Sequence, residues 1–258
     1  MSLSKKWFID IGHGGKDPGA INTYITEKSI NLIVGLEVGR ILQLNGQFVK
    51  YSRDTDISVD LNQRPIMANS WGADYFISVH HNAGGGDGLV IIHSVNGGPG
   101  KHLAEFITPI ISEGTGQNIR GVYSKKGNNG DYYAVIKYTD MPAIIIEYGF
   151  LDNVEDYKLF DTKPELLTEA KYIAKGLLNF IGITDITYGE VNNIPQNVKK
   201  SKYFSDVPEN HWAIENIDKA KEIGIIFGIG GGKLGFTEDM ARIITWMLRV
   251  IEITNKTS

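Results

Sequence analysis

The 258-residue chain carries 26 Lys and Arg against 30 Asp and Glu, a formal charge of −4, and is 42% hydrophobic and 22% charged. Such a balance belongs to ordinary globular proteins; it excludes collagen-like and disordered classes and gives no general electrostatic pull toward nucleic acid. With no cysteine present, disulfides and thiolate metal sites are excluded, and His, Asp and Glu remain as the strong ligands for any transition metal.

Met1 to Lys6 leads straight into the apolar Trp7 to Ile11, with neither the long apolar core nor the small-residue cleavage site of a signal peptide. No stretch approaches the ~20 apolar residues of a membrane span. Short apolar runs then alternate with helix-period segments, the pattern of an α/β domain whose mostly parallel sheet is flanked by helices. The pattern predicts strands over 7–11, 48–52, 75–79, 89–93 and 143–147, and helices over 27–44, 61–71, 101–112 and 164–181.

Residues 5–182 make up this domain. The stretch 183–201, rich in Gly, Asn, Pro, Gln and Lys, reads as a linker. Residues 202–258 read as a small helical module, with a helix from His211 to Ile223, a glycine-dense turn from Gly228 to Gly235 and a second helix from Thr237 to Ile253. So short a unit is marginal for an independent core, which predicts that it leans on the larger domain or on copies of itself.

His13 follows the first strand within Asp10-Ile11-Gly12-His13-Gly14-Gly15. It is therefore expected at a strand's C-terminal end, where open α/β sheets bind ligands, in a loop whose glycines permit close approach. Taken alone, a loop imidazole satisfied by backbone is the better explanation of it, but His13 does not stand alone. Glu27 opens the first helix behind Thr26; an acid there is favoured by the helix dipole by about 0.3–1 kcal/mol, yet a short strand-to-helix loop also brings it to the rim that holds His13.

His80 and His81 end the strand Tyr75-Phe76-Ile77-Ser78-Val79. Neighbouring strand residues point to opposite faces, so at most one is a ligand; the other is structural or solvated. Glu147 ends the apolar run Ala143 to Ile146. A carboxylate so placed is bonded to backbone amides, paired, bound near a metal, or raised in pKa by desolvation, the last being what general base catalysis requires. Two His, one Glu and an open fourth position form a common catalytic zinc set, and a second Glu can carry protons during amide hydrolysis.

The stretches Ile9 to Ala20, Glu27 to Leu32, Arg53-Asp54, Arg64 with Ala68-Asn69, Ala73 to Ala83, and Glu147-Tyr148-Gly149-Phe150-Leu151 together resemble the zinc-dependent N-acetylmuramoyl-L-alanine amidases of bacterial cell walls and phage lysins. The family pattern Ser, any, His, any, Asn falls on Ser78, His80 and Asn82, so the resemblance implies His80 rather than His81 as ligand. It further implies His13 and Glu27 as the other zinc ligands and Glu147 as catalytic acid or base. The implied substrate is peptidoglycan, cut between the lactyl group of N-acetylmuramic acid and L-alanine, in the cell wall or outside the cell.

The tail, with Tyr203-Phe204-Ser205-Asp206-Val207-Pro208, His211-Trp212-Ala213, Ile223 to Ile226, Gly228 and Phe236, resembles a single S-layer homology module. That likeness implies binding to a secondary cell-wall polymer or oligomerisation. In place of the family's Thr-Arg-Ala-Glu segment the chain reads Met240-Ala241-Arg242-Ile243-Ile244. His93, His102 and His211 are expected away from the metal, and Arg64 as a structural ion-pair partner. Two rivals stand beside the amidase reading: a zinc peptidase or deacetylase cutting another amide, and a noncatalytic wall-binding protein.

Overall fold

Side-chain alternation sets up the sheet. In the first strand, β1 (Lys6–Ile11), Trp7, Ile9 and Ile11 belong to one face and Phe8 and Asp10 to the other, and all five are buried. A strand covered on both faces belongs inside a helix-flanked sheet. In the computed structural model, which describes residues 4–189, 201–207, 214–226, 233–235, 237, 240 and 244, β1 pairs in parallel with β2 (Phe48–Tyr51) on one side and β3 (Tyr75–Asn82) on the other.

The remaining strands of this sheet are β4 (Leu89–His93), β5 (Ile119–Ser124) and β8 (Ala143–Phe150), in the order β2-β1-β3-β8-β4-β5. Only the β4–β8 pair is antiparallel. Between β5 and β8 a small hairpin, β6 (Lys126–Gly127) and β7 (Gly130–Asp131), leads into the short helix α4 (Ala134–Lys137).

The two faces carry two cores. Trp7, Ile9, Ile11, Ile77, Val79, Ile144 and Ile146 meet α1 (Glu27–Leu44), α3 (Gly98–Thr115) and α6 (Lys163–Phe180). Phe8, Phe76, Val90 and Ile145 meet α2 (Gln63–Trp71) and α4. Each fully buried Ile or Leu in these layers contributes about 1.5–3 kcal/mol. Because β1 has β2 on one side and β3 on the other, chain order reverses at β1, and the crevice beyond its C-terminal end is the switch point where α/β sheets take ligands.

The sheet is mostly parallel and helix-flanked, as the sequence predicts, and α1 and β4 have the predicted bounds. Differences have local causes. Both β3 and β8 run three residues beyond the predicted ends, because their pairing continues through a register shift between His80 and Asn82. An edge position, with Arg120 and Gly121 breaking its apolar run, hides β5 from a hydrophobicity reading. Helix α3 starts earlier than predicted, at Gly98, with Pro99 in the first turn, where its missing N–H costs nothing.

The chain divides into two compact units, Met1–Gly189 and Glu190–Ser258. Within the first, the beginning of the stretch read as linker lies against the core: Ile183, Ile186 and Tyr188 pack there, and Asn45 and Arg40 bond the backbone of Thr187 and Tyr188. In the second, Phe204, Val207, Ile217, Ala220, Leu234 and Ile244 form a small core around α7 (Ile214–Glu222). Asp206 accepts from the backbone N–H groups of Leu234 and Gly235 at 2.7 and 2.8 Å. Most of the predicted second helix, 237–253, and His211 lie outside the described residues. Among the described residues no helix is long and apolar enough to cross a membrane.

Candidate metal centre and active-site cleft

Beyond β1 the chain passes Gly12 into His13, whose φ of 59° makes it the one non-glycine residue with positive φ among those described. Such a conformation costs about 1–3 kcal/mol and persists only where the surroundings fix it. Two buried arginines do so. Arg64 donates to Asp10 Oδ1 at 2.6 Å and to the carbonyls of Ile11 and His13 at 2.8 and 3.0 Å. Arg53 donates to the carbonyls of Ile11, Gly12 and Lys28 at 3.1, 2.9 and 2.7 Å.

Held this way, His13 points Nδ1 at Asp17 Oδ2, 2.8 Å away, and Nε2 at Glu27 Oε2, 3.0 Å away. Glu27 stands in the first turn of α1 and is 3% exposed. Its Oε2 accepts from the Ala20 N–H at 2.9 Å. Its Oε1 lies 3.0 Å from His80 Nδ1 and accepts from the backbone N–H of His81 at 3.1 Å. The His13 and His80 rings meet edge to face, centroids 5.0 Å apart. A Cβ on Gly12 would collide with the His80 ring, so glycine is required beneath it.

One ligand atom from each of His13, Glu27 and His80 lies within 4.8 Å of the others, a group that could hold a metal ion. Bonds of about 2.0–2.2 Å in a tetrahedral site put neighbouring ligand atoms roughly 3.3–3.5 Å apart, close to the 3.0 Å that separates Glu27 from each imidazole. The donor set therefore fits a zinc-sized cation, and the Asp17–His13 hydrogen bond is the kind of outer support that orients a ligating imidazole.

Glu147 is the register partner of His80 across the β3–β8 pair, so both side chains face the same side of the sheet. Both line a cleft of about 580 Å3, whose walls include Asp10, His13, Val59, Leu61, Tyr132 and Tyr133. A second groove, with Lys125, Lys126 and Lys137 among its lining residues, shares Tyr132 and Ala134 with the first. Lys125 Nζ sits 3.9 Å over the Tyr132 ring.

Charge in the cleft is strongly coupled. Burial alone would raise the Glu27 carboxyl, but hydrogen bonds from His13 and His80 and their positive charge outweigh it and hold Glu27 far below the usual carboxylate range. Burial disfavours the His80 imidazolium, yet the Glu27 hydrogen bond and the charges of Glu147, Glu27 and Asp10 push it up to about 9. Burial and the His80 charge act against the His13 imidazolium too, but the hydrogen bond and charge of Glu27 and the hydrogen bond to Asp17 raise it. Glu147 is raised chiefly by burial, with Glu27 adding to it and the nearby histidines opposing. A field that favours cations thus surrounds a carboxyl that holds its proton unusually well.

The structure thus gathers His13, Glu27, His80 and Glu147 at one cleft. His81 takes the opposite face, 2% exposed, with Nε2 3.2 Å from Glu169 Oε2. Arg64 is ion-paired with Asp10, and His93 is buried, 2.7 Å from the Ser94 carbonyl. Sequence reasoning missed Asp17, Tyr132 and Tyr133. The first carries a usable signal, lying four residues after His13 in the same glycine-rich loop; the tyrosines lie in a segment with no regular periodicity.

Comparison with known proteins places the chain beside bacterial cell-wall amidases. The Amidase_3 family model, described as N-acetylmuramoyl-L-alanine amidase, matches residues 8–179. The sporulation-specific N-acetylmuramoyl-L-alanine amidase of Bacillus subtilis is 36% identical over 176 residues, 67% of this chain and 66% of that protein. Among solved structures, Cwp6 from Clostridium difficile superposes with a TM-score of 0.66 at 33% identity, covering 68% of this chain and 29% of that one. The catalytic domain of CwlV, an N-acetylmuramoyl-L-alanine amidase from Bacillus (Paenibacillus) polymyxa var. colistinus, gives 0.62 at 30% identity, covering 69% and 99%. The chain spans less than two thirds of the sporulation amidase and of Cwp6, but nearly all of the CwlV domain. A match to the family model over most of the first unit, on a sheet of the same architecture, shows that this chain belongs to the N-acetylmuramoyl-L-alanine amidase family.

Proposed function

We propose that the chain is a zinc-dependent peptidoglycan hydrolase that cuts the amide between the lactyl group of N-acetylmuramic acid and L-alanine of the stem peptide. In this reading His13, Glu27 and His80 hold the metal and Glu147 moves the proton. One observation carries it: three ligand atoms converge beyond β1, and the carboxylate in register with His80 lines the same cleft.

Zinc, when bound, supplies a water acidified to a pKa of about 7 and polarises the scissile carbonyl. The chain's own residues do the rest. Asp17 accepts a hydrogen bond from the Nδ1–H of His13 and so leaves the Nε2 lone pair on the metal side. Burial raises the proton affinity of Glu147, which suits a group that takes a proton from the nucleophile and returns it to the leaving amine near neutral pH. Val59, Leu61, Val135 and Ile145 give the cleft an apolar wall, and Tyr132 and Tyr133 stand where a sugar or peptide would lie.

Residues 5–182 are the catalytic domain in this proposal, 183–201 the connection, and 202–258 an S-layer-homology-like module that binds secondary cell-wall polymer or assembles copies of the chain. The site of action is the cell wall or the extracellular space, in keeping with relatives named as the N-acetylmuramoyl-L-alanine amidase LytC of Bacillus subtilis and as an endolysin of Bacillus phage SPP1. The test is mass spectrometry of purified peptidoglycan digested by the zinc-loaded protein beside a chelated sample. Free peptides beginning at L-alanine, absent after chelation, are expected. Cleavage at another amide would assign a peptidase or deacetylase, and intact muropeptides in both samples a binding protein.

A further inference from the structure

Behind the ligand Glu27, on the far side of the sheet from the cleft, runs a line of buried polar side chains that the proposed chemistry does not use. Asn31 lies four residues after Glu27, on the same face of α1, and is fully buried. Its Nδ2 donates to Glu27 Oε1 at 3.2 Å and, at 3.4 Å, to the Gly12 carbonyl. Its Oδ1 lies 2.9 Å from His81 Nδ1, and His81 Nε2 lies 3.2 Å from Glu169 Oε2 on α6. The His81 ring is clamped edge-on by Phe160 and Tyr148, with centroids 4.7 and 5.8 Å away.

The direction of every bond in this line is fixed by its neighbours. Asn31 faces two pure acceptors with one end of its amide, so that end is the NH2 group and the other is the carbonyl oxygen. An amide oxygen only accepts, so His81 Nδ1 carries a hydrogen. At the other end a proton lies between Nε2 and Glu169 Oε2 whether it resides on the ring or on the carboxyl. His81 therefore donates from Nδ1 in either state, and no titration is needed for the line to hold. Glu169 itself is fully buried, and its Oε1 has no hydrogen-bond partner among the described residues.

We propose that Glu169, His81 and Asn31 form a positioning relay that locks the Glu27 carboxylate in its metal-facing orientation, making His81 and Asn31 determinants of metal affinity although neither touches the metal. The relay rests on the reading of Glu27 as a ligand. Glu27 has a rotatable side chain, and each freely turning ligand loses order on binding a cation; an orienting bond from a rigid partner removes that loss. Outer supports of this kind typically change metal affinity about 10–100-fold. The clamp by Phe160 and Tyr148 makes His81 the rigid member, and Asn31 transmits its position to the carboxylate.

The test measures zinc affinity of the full-length chain by competition with a chromophoric chelator, with the visible spectrum of the cobalt-substituted protein as a second readout. His81→Phe fills the aromatic clamp but removes the donor; a 10–100-fold loss of affinity and a changed cobalt spectrum are expected. His81→Asn, whose amide can donate from the place of Nδ1, should recover most of the affinity, which a role in packing alone would not produce. Asn31→Ser breaks the line while leaving His81 and Glu169 intact, and should match His81→Phe; it decides the matter if the phenylalanine variant does not fold. Wild-type affinity in folded His81→Phe or in Asn31→Ser overturns the relay. Glu27→Gln, run beside them, separates the two claims: if that variant also binds zinc normally, the ligand assignment has failed, whereas loss in Glu27→Gln alone sinks only the relay.

Discussion

Replacing Arg64 by methionine is the sharpest perturbation of the scaffold that carries the cleft. The guanidinium and the Asp10 carboxylate are 6% and 1% exposed and 2.6 Å apart. Without Arg64 the carboxylate keeps the Ser78 hydroxyl at 2.7 Å but loses the cation paired with it, and breaking one side of a buried pair costs about 3–5 kcal/mol. At about 2–4 °C per kcal/mol for a unit of 150–250 residues, Arg64→Met should lower the main calorimetric transition by roughly 6–20 °C. A double variant, Arg64→Met with Asp10→Val, removes the stranded charge and should regain a large part of that loss. Zinc affinity should stay depressed in the double variant, because the His13 carbonyl still lacks its donor and the left-handed turn at His13 its anchor. A loss below about 1 kcal/mol in the single variant, or no regain in the double, would refute the view that this pair holds the loop.

Glu147→Gln should bind zinc with normal stoichiometry by elemental analysis and lose turnover by about 100–10,000-fold; near wild-type rates would remove Glu147 from proton transfer. In chelated protein the two signs are opposite. His80, raised to about 9, stabilises the fold below its ordinary pKa of 6.5 and loses that contribution as pH rises from 6.5 through about 9, whereas Glu27, held low, contributes above its ordinary range and fails only in strong acid. Melting temperature of the chelated chain should therefore decline between pH 6.5 and 9, and Glu27→Gln should flatten that decline; a flat wild-type profile would count against the coupling. Gly12→Ala pushes a methyl group into the His80 ring and should weaken zinc binding in titration calorimetry, with unchanged affinity arguing that His80 is not held there. Lys125→Glu, in the groove that shares Tyr132 with the cleft, should raise KM for carboxylate-bearing muropeptides and leave kcat little changed.

What could be read from the chain and what could not divide along a physical line. Strands β1, β3, β4 and β8 are apolar runs buried on both faces, so hydrophobicity alone exposes them, and the ligand-type residues stand just past their apolar cores. The edge strand β5, the β6–β7 hairpin and α4 have exposed or mixed faces and left no such trace, which is why the two tyrosines of the cleft went unseen. Geometry alone left His80 and His81 open; pairing across β3–β8 separates them, since His80 shares a register position with Glu147 while His81 turns to Glu169.

Support for the ligands divides in the same way. Asp17 follows His13 by four residues and Asn31 follows Glu27 by four, so both are within reach of a spacing argument once the ligand is known. Arg64, Gly12 beneath His80, and Glu169 behind His81 act across 51, 68 and 88 residues of sequence, and nothing local marks them. A cluster whose ligands come from the turn after β1, from α1 and from β3 draws its long-range supports from α2, from that same turn and from α6: disturbing α6 should reach the metal through His81 and Asn31, and disturbing α2 through the turn at Gly12 and His13, to which Asn31 also donates. Metal affinities of Arg64→Met and Asn31→Ser should consequently combine non-additively in the double variant, with a coupling energy of about 0.5–3 kcal/mol, as groups in one hydrogen-bond network do, and additivity to within about 0.5 kcal/mol would mean that the two supports act on separate elements.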